Sequence, residues 1–172
     1  MVATDDLITN GSAQGDAADA DLAAFMNAVI EHGVAPMYSL GIRVVDLRPG
    51  HVIGAAPLTG NVNHLGTMYA GTLFGLAEML GGALFVANFD VERFHPTVKD
   101  VQIRYRRPAT TDVRAEASLD ADTIVRLRRE ADHHGKAEFV LDATITDATG
   151  EVVASTRGTY QVRANATGTS TS

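Results

Sequence analysis

One carboxylate, Glu78, stands inside an otherwise apolar run from Met68 to Ala87. Leu73, Phe74, Leu76, Leu80, Leu84, Phe85 and Val86 fall around every side of a helix, the pattern of a helix enclosed by its surroundings. An isolated ionisable group in such a segment is costly unless it is paired, protonated or used in chemistry. Burial raises a carboxyl pKa and leaves the ionised form poorly solvated, which suits a general base or a nucleophile. The plainer reading is a Glu satisfied by a backbone or Arg partner. A second set of charged groups, Lys99, Arg104, Arg106, Arg107 and Arg114, clusters in a chain that is acidic overall and suits a phosphate-bearing ligand. A solvated strand face accounts for each of them equally well. His133 and His134 beside Asp132 do not make a metal site, because adjacent side chains on a loop rarely converge on one ion.

The chain that positions these groups has 172 residues, 45% hydrophobic and 20% charged, which fits one globular domain. Its formal charge of -7 makes nucleic acid an unsuitable partner, since phosphate backbones need a concentrated basic face. The absence of Cys removes disulfides, thiolate metal sites and Cys nucleophiles. The acidic opening lacks a signal pattern, so a cytoplasmic location is expected, and the glycosylation triplet at Asn165 is read as chance. Met68 to Ala87 has the length of a membrane span, with Gly71 and Gly75 as a small-residue pair. Glu78 would then lie near the bilayer midplane with no Lys or Arg flanking the span closely, so a buried core helix is expected and no membrane span.

Residues 1–20 are rich in Ala, Asp, Gly, Ser and Thr and are expected to form a disordered leader. Leu22, Phe25, Met26, Val29 and Ile30 then predict an amphipathic helix between Asp21 and Gly33. Ile42 to Leu47 and Val52 to Leu58 read as a hairpin turned by Pro49 and Gly50. Beyond the central helix a polar loop is expected through His95 and Pro96. A strand follows over Thr97 to Arg107, with Val101, Ile103 and Tyr105 on one face. Val113 to Leu119 is a fourth strand, and Asp120 and Gly135 bracket a short helix. Lys136 to Asp147 and the run from Val152 to Val162 complete six strands, before a loose tail over 164–172. One antiparallel sheet curled around one long helix satisfies these pieces, in a single domain over 21–163. That sheet covers two sides of the helix, so the remaining side predicts a homo-oligomer.

Asn63, Gly66, Tyr69-Ala70-Gly71 and Leu76-Ala77-Glu78, followed by Tyr105-Arg106-Arg107-Pro108-Ala109 and Gly135-Lys136-Ala137-Glu138-Phe139, resemble the hotdog-fold acyl-CoA thioesterases. The branch they resemble is that of the phenylacetate-pathway and 4-hydroxybenzoyl-CoA enzymes. The resemblance spans roughly residues 34–163 and implies an α+β hotdog fold, a six-stranded antiparallel sheet wrapped around the central helix. It also implies acyl-CoA as substrate, no cofactor, and a dimer or dimer of dimers. Tyr69 replaces the family's His and Ala70 its first Gly, while Gly82 stands where some relatives carry a threonine that helps to place water.

Hydrolysis of a thioester needs a base or nucleophile, a donor to the developing oxyanion and orientation of the carbonyl. On the resemblance, Glu78 is the base or nucleophile. The amide of Ala70, helped by Gly71 and the helix dipole, is the oxyanion donor. Asn63 is expected to bind the same carbonyl or the attacking water, or else to serve as a turn residue. His64, Gly66, Met68, Tyr69, Arg104 and Arg106 are expected to contact substrate. Two rivals stand beside this reading. His64 precedes Glu78 by fourteen positions, similar to the His and acid of hotdog 3-hydroxyacyl dehydratases, although their Pro-Gly helix entry is missing. A non-catalytic acyl-binding hotdog domain is the other.

Overall fold

The computed structural model describes residues 9–166. Its elements in chain order are α1 (Thr9–Gly33), α2 (Ala35–Ser39), β1 (Arg43–Arg48), β2 (His51–Ala56), α3 (Ala70–Asn88), β3 (Phe94–Tyr105), β4 (Val113–Ser118), α4 (Ala121–His134), β5 (Lys136–Asp147) and β6 (Val152–Ala164). All six strands join one antiparallel sheet in the order β1-β2-β4-β5-β6-β3, curled around α3. This is the hotdog arrangement that the motif order implied.

Local chemistry accounts for several boundaries. The β1–β2 turn uses Pro49 and a Gly50 at φ 78°, a value that only Gly adopts freely. Asp120 caps α4 by accepting from the Thr123 amide at 2.7 Å, and Gly135 ends it in the left-handed conformation. Phe139, Leu141, Ala143 and Ile145 alternate inward along β5, as the sequence predicts.

Three expectations are corrected. The leader expected over 1–20 is helical from Thr9 onward, running without a break into the helix predicted between Asp21 and Gly33; residues 1–8 lie outside the described residues. His95 and Pro96 belong to β3 and not to a loop: their partners Arg163 and Val162 extend the ladder, and Pro96 is tolerated because β3 is an edge of the sheet. At the other end β6 continues through Ala164, and Asn165 donates to the Glu92 carbonyl at 2.7 Å, so the tail expected from 164 is anchored at its start; residues 167–172 lie outside the described residues.

The central helix is long and apolar enough to cross a membrane by length and composition, yet it packs on the sheet through Leu73, Leu76, Leu80, Ala83 and Leu84. Gly54 of β2 lies beneath it, where a Cβ would come within 2.9 Å of Leu76 and Met79. Its enclosure within one chain is incomplete. Gly71, Phe74, Gly75, Glu78 and Gly82 form a stripe along α3 that the chain's own elements leave at least partly open.

Candidate active site

Glu78 sits half-buried in the third turn of α3 on that open stripe. Burial pushes its carboxyl above the usual carboxylate range, and among the described residues no hydrogen bond or ion pair reaches that carboxylate. Its backbone carbonyl, by contrast, is held: the Tyr160 hydroxyl donates to it at 3.2 Å. Burial, with Glu78 nearby as a lesser cause, pushes that phenol well above its usual range, so it stays a donor. The carboxylate lines a cavity of about 370 Å³ together with Met79, Gly82 and Phe85 of α3 and Met26 and Val29 of α1.

The N-terminus of α3 lies in a different cavity, of about 340 Å³, lined by Met68, Ala70, Leu73, Tyr105, Arg106 and Arg107 among others. Tyr69 is the N-cap residue and supplies no side-chain cap. The amides of Ala70 and Gly71 have no partner among the described residues, whereas the third amide, of Thr72, bonds the Tyr69 carbonyl at 3.0 Å. The Tyr69 ring folds over Gly71, where a Cβ would lie 2.3 Å from its edge. Tyr105 donates to the Ala70 carbonyl at 3.1 Å and ties this end of the helix to β3.

What fixes the helix start is a residue that the sequence reading missed. Asn61 is only 5% exposed and joins three parts of the chain. Its Nδ2 donates to the carbonyls of Leu40 and Pro57, both at 2.8 Å. Its Oδ1 accepts from Thr72 at 3.2 Å and its carbonyl from the Tyr69 amide at 2.7 Å. A buried amide with its hydrogen bonds satisfied specifies geometry as well as stability. Its partner at Leu40 is brought beside the start of α3 only by the fold.

Asn63 turns out to order its own loop. Its Nδ2 donates to Thr67 Oγ1 at 3.0 Å and to the Met68 carbonyl at 3.3 Å, and its Oδ1 accepts from the amides of Leu65 and Thr67. Both amide protons are used, so the turn role wins over direct contact with a carbonyl or water. Gly66, at φ 80°, serves the same turn, and Met68 is buried in the core while bordering the cavity at the start of α3. His64 is exposed on the loop.

The expected cationic cluster does not converge. Lys99 pairs with Glu138 at 2.5 Å and Arg107 with Glu151 at 2.6 Å. Arg104 alternates with the helix-facing Ile103 and Tyr105 and so belongs to the other face of β3. Arg106 and Arg107 alone, of the five, border the cavity at the start of α3.

Residues 23–162 match the family described as a domain of unknown function, DUF4442. The chain belongs to that family. A crystal structure of PA5026 from Pseudomonas aeruginosa, described as a protein of unknown function and probable thioesterase, is 46% identical and superposes with a TM-score of 0.76, over 83% of this chain and 95% of that one. OLEI01261 from Chlorobaculum tepidum, of unknown function, has a TM-score of 0.77 at 18% identity, over 86% of this chain and 97% of that one. The thioesterase HI1161 from Haemophilus influenzae has a TM-score of 0.64 at 17% identity, over 81% and 88%. At those lower identities the likeness establishes the fold alone. No curated protein matches the chain.

Proposed function

We propose that this DUF4442 member hydrolyses acyl-CoA thioesters, with Glu78 as base or nucleophile and the Ala70 and Gly71 amides as oxyanion donors. The observation that carries the reading is the unpartnered, desolvated carboxylate of Glu78 on the helix of a hotdog fold, facing an apolar cavity. The probable-thioesterase description of PA5026 supports it. As a base, Glu78 takes a proton from water as the water oxygen bonds to the carbonyl carbon. The oxyanion collapses, the C–S bond breaks, and the proton returns from Glu78 to the departing sulfur, giving acid and thiol. As a nucleophile, the carboxylate itself bonds to the carbonyl carbon and expels the thiolate, and water then cleaves the resulting anhydride. Arg106 and Arg107 lie near the donor end of the helix, Arg107 paired with Glu151, and are cations that the phosphates beyond the pantetheine arm of coenzyme A would meet.

One chain does not complete this site. Ala70 and Glu78 are eight residues apart, about 12 Å along the helix axis, and they line separate cavities. A base and an oxyanion donor must both come within roughly 3 Å of the reacting group. A second copy packed antiparallel across the Gly71 to Glu78 part of the open stripe of α3 supplies the missing half to each site, so the working unit is at least a homodimer. Ala70→Pro tests this, because it deletes one amide at the first helical position, where Pro is tolerated and the preceding Tyr69 is already extended at φ -60°, ψ 130°. Mixing Ala70→Pro chains with Glu78→Gln chains is expected to restore part of the activity that each lacks alone. An active monomer in sedimentation, or no recovery in mixed dimers, refutes the shared site.

His64 separates hydrolase from dehydratase. A dehydratase needs a His to remove the proton next to the carbonyl, so His64→Ala would cost it about a hundredfold or more. An exposed loop His plays no such part in hydrolysis. Thiol release from saturated acyl-CoA is expected to change little in His64→Ala, and neither form should hydrate a 2-enoyl-CoA in an ultraviolet assay. Hydration that vanishes with His64 overturns the proposal, and tight acyl-CoA binding without turnover reassigns the chain as a binding domain.

A further inference from the structure

We infer that the cavity between α1 and α3 is the chamber for the acyl chain, that it takes acyl groups apolar beyond the carbonyl, and that Gly82 sets how long they can be. This rests on the hydrolase reading above and adds the substrate class.

Glu78 lies on the wall of this cavity, and every other lining residue except His95 is apolar. No Lys or Arg borders it, so a second carboxylate at the far end of an acyl group would find no cationic partner there. Its volume of about 370 Å³ falls within the range of roughly 300–1,000 Å³ typical of small-ligand sites. Gly82 is one helical turn beyond Glu78 on the same stripe, about 6 Å along the axis. A Cβ built on Gly82 meets nothing closer than Met26 Cε at 3.9 Å, so the missing side chain leaves room and is not demanded by backbone packing or by a positive φ. A chain bonded at the carbonyl beside Glu78 therefore runs past Gly82 toward Met26.

The far wall is fixed in place. Asn27 of α1 donates from Nδ2 to the Val44 carbonyl at 2.9 Å and accepts at Oδ1 from the Val44 amide at 2.8 Å, as a neighbouring strand would. This two-point attachment to the edge strand β1 holds Phe25, Met26 and Val29 over the cavity. A wall anchored in this way can discriminate length, since an overlong chain must displace it.

The test measures kcat/KM for acetyl-CoA and octanoyl-CoA in wild type, Gly82→Leu, Gly82→Ala and Met26→Ala, with melting curves for each. The octanoyl-to-acetyl ratio is expected to fall tenfold or more in Gly82→Leu, to fall less in Gly82→Ala, and to hold or rise in Met26→Ala. Gly82→Ala keeps the test informative if Leu prevents folding, because its Cβ makes only ordinary contact. Binding of octanoyl-CoA to Glu78→Gln, with and without Gly82→Leu, is followed by calorimetry. Hydrolysis whose chain-length ratio is the same in wild type and the Gly82 variants overturns the chamber and leaves the hydrolase. Octanoyl-CoA binding that Gly82→Leu abolishes, in a protein that turns over no thioester, upholds the chamber and removes the hydrolase. A change in sedimentation on Gly82→Leu with no change in the ratio shows that a second copy fills the cavity, which also overturns the inference.

Discussion

Replacing Glu78 by Gln is expected to lower thioester hydrolysis by a hundredfold or more while leaving the fold intact. The swap is nearly isosteric and removes only the charge and the basicity, and general acid–base terms alone are worth about that factor. Since no described partner depends on the carboxylate, the variant should melt at or above the wild-type temperature near neutral pH. The pH dependence has a definite sign. Burial raises the folded pKa of Glu78 above its unfolded value, so over that interval the folded state binds more protons than the unfolded one. The stability associated with this group is complete below the unfolded pKa and is lost as pH rises through the raised value. Relative to Glu78→Gln, wild type should therefore lose stability across that window while its kcat/KM rises, because the ionised form is the reactive one. Hydrolysis that survives in a fully folded Glu78→Gln protein would sink the assignment of Glu78.

The parts of this molecule that could be read in advance are those written in local patterns. The bounds of β5 follow from the alternation of Phe139 to Ile145, and α4 announces itself through Asp120 and Gly135. The isolation of Glu78 in an apolar helix was equally plain, and the fold leaves it without a described partner. Tertiary satisfaction of polar groups was not legible. Asn61 and Asn63 are two residues apart and of the same type, yet one ties Leu40 and the start of α3 to its own loop and the other only closes its loop. The cationic cluster failed for a geometric reason. Arg104 is committed to one face by the pleat of β3, whereas Arg106 escapes that alternation because the strand ends at Tyr105 and the Arg106 amide turns to the Val153 carbonyl. Helix α1 was predicted without its role, since amphipathicity reveals that a face is buried but not that it encloses a cavity beside a carboxylate.

Gly81→Ala should be among the most damaging single substitutions in the chain, although Gly to Ala inside a helix ordinarily gains about 1 kcal/mol. Gly81 is one turn from Glu78 on the sheet-facing side of α3, and the Tyr160 ring lies flat against it. A Cβ at this position would stand 2.1 Å from Tyr160 Cε1 and 2.3 Å from Cδ1. The ring cannot retreat easily. It is 4% exposed, stacks on Phe139 with centroids 5.5 Å apart, and its hydroxyl is bonded to the Glu78 carbonyl. Its other edge lies close to Gly158, where a Cβ would be 2.6 Å away. Overpacking of this severity costs about 3 kcal/mol, which outweighs the helix term and should lower the melting temperature by roughly 10 °C. Activity should fall as well, because a displaced Tyr160 no longer holds the turn that carries Glu78. A double-mutant cycle isolates the cause. In a Tyr160→Ala background the clash is absent, so Gly81→Ala should there be neutral or stabilising, and the coupling between the two sites should amount to most of the single-mutant loss. Equal costs of Gly81→Ala in both backgrounds would show that the glycine is needed for some reason other than the ring of Tyr160.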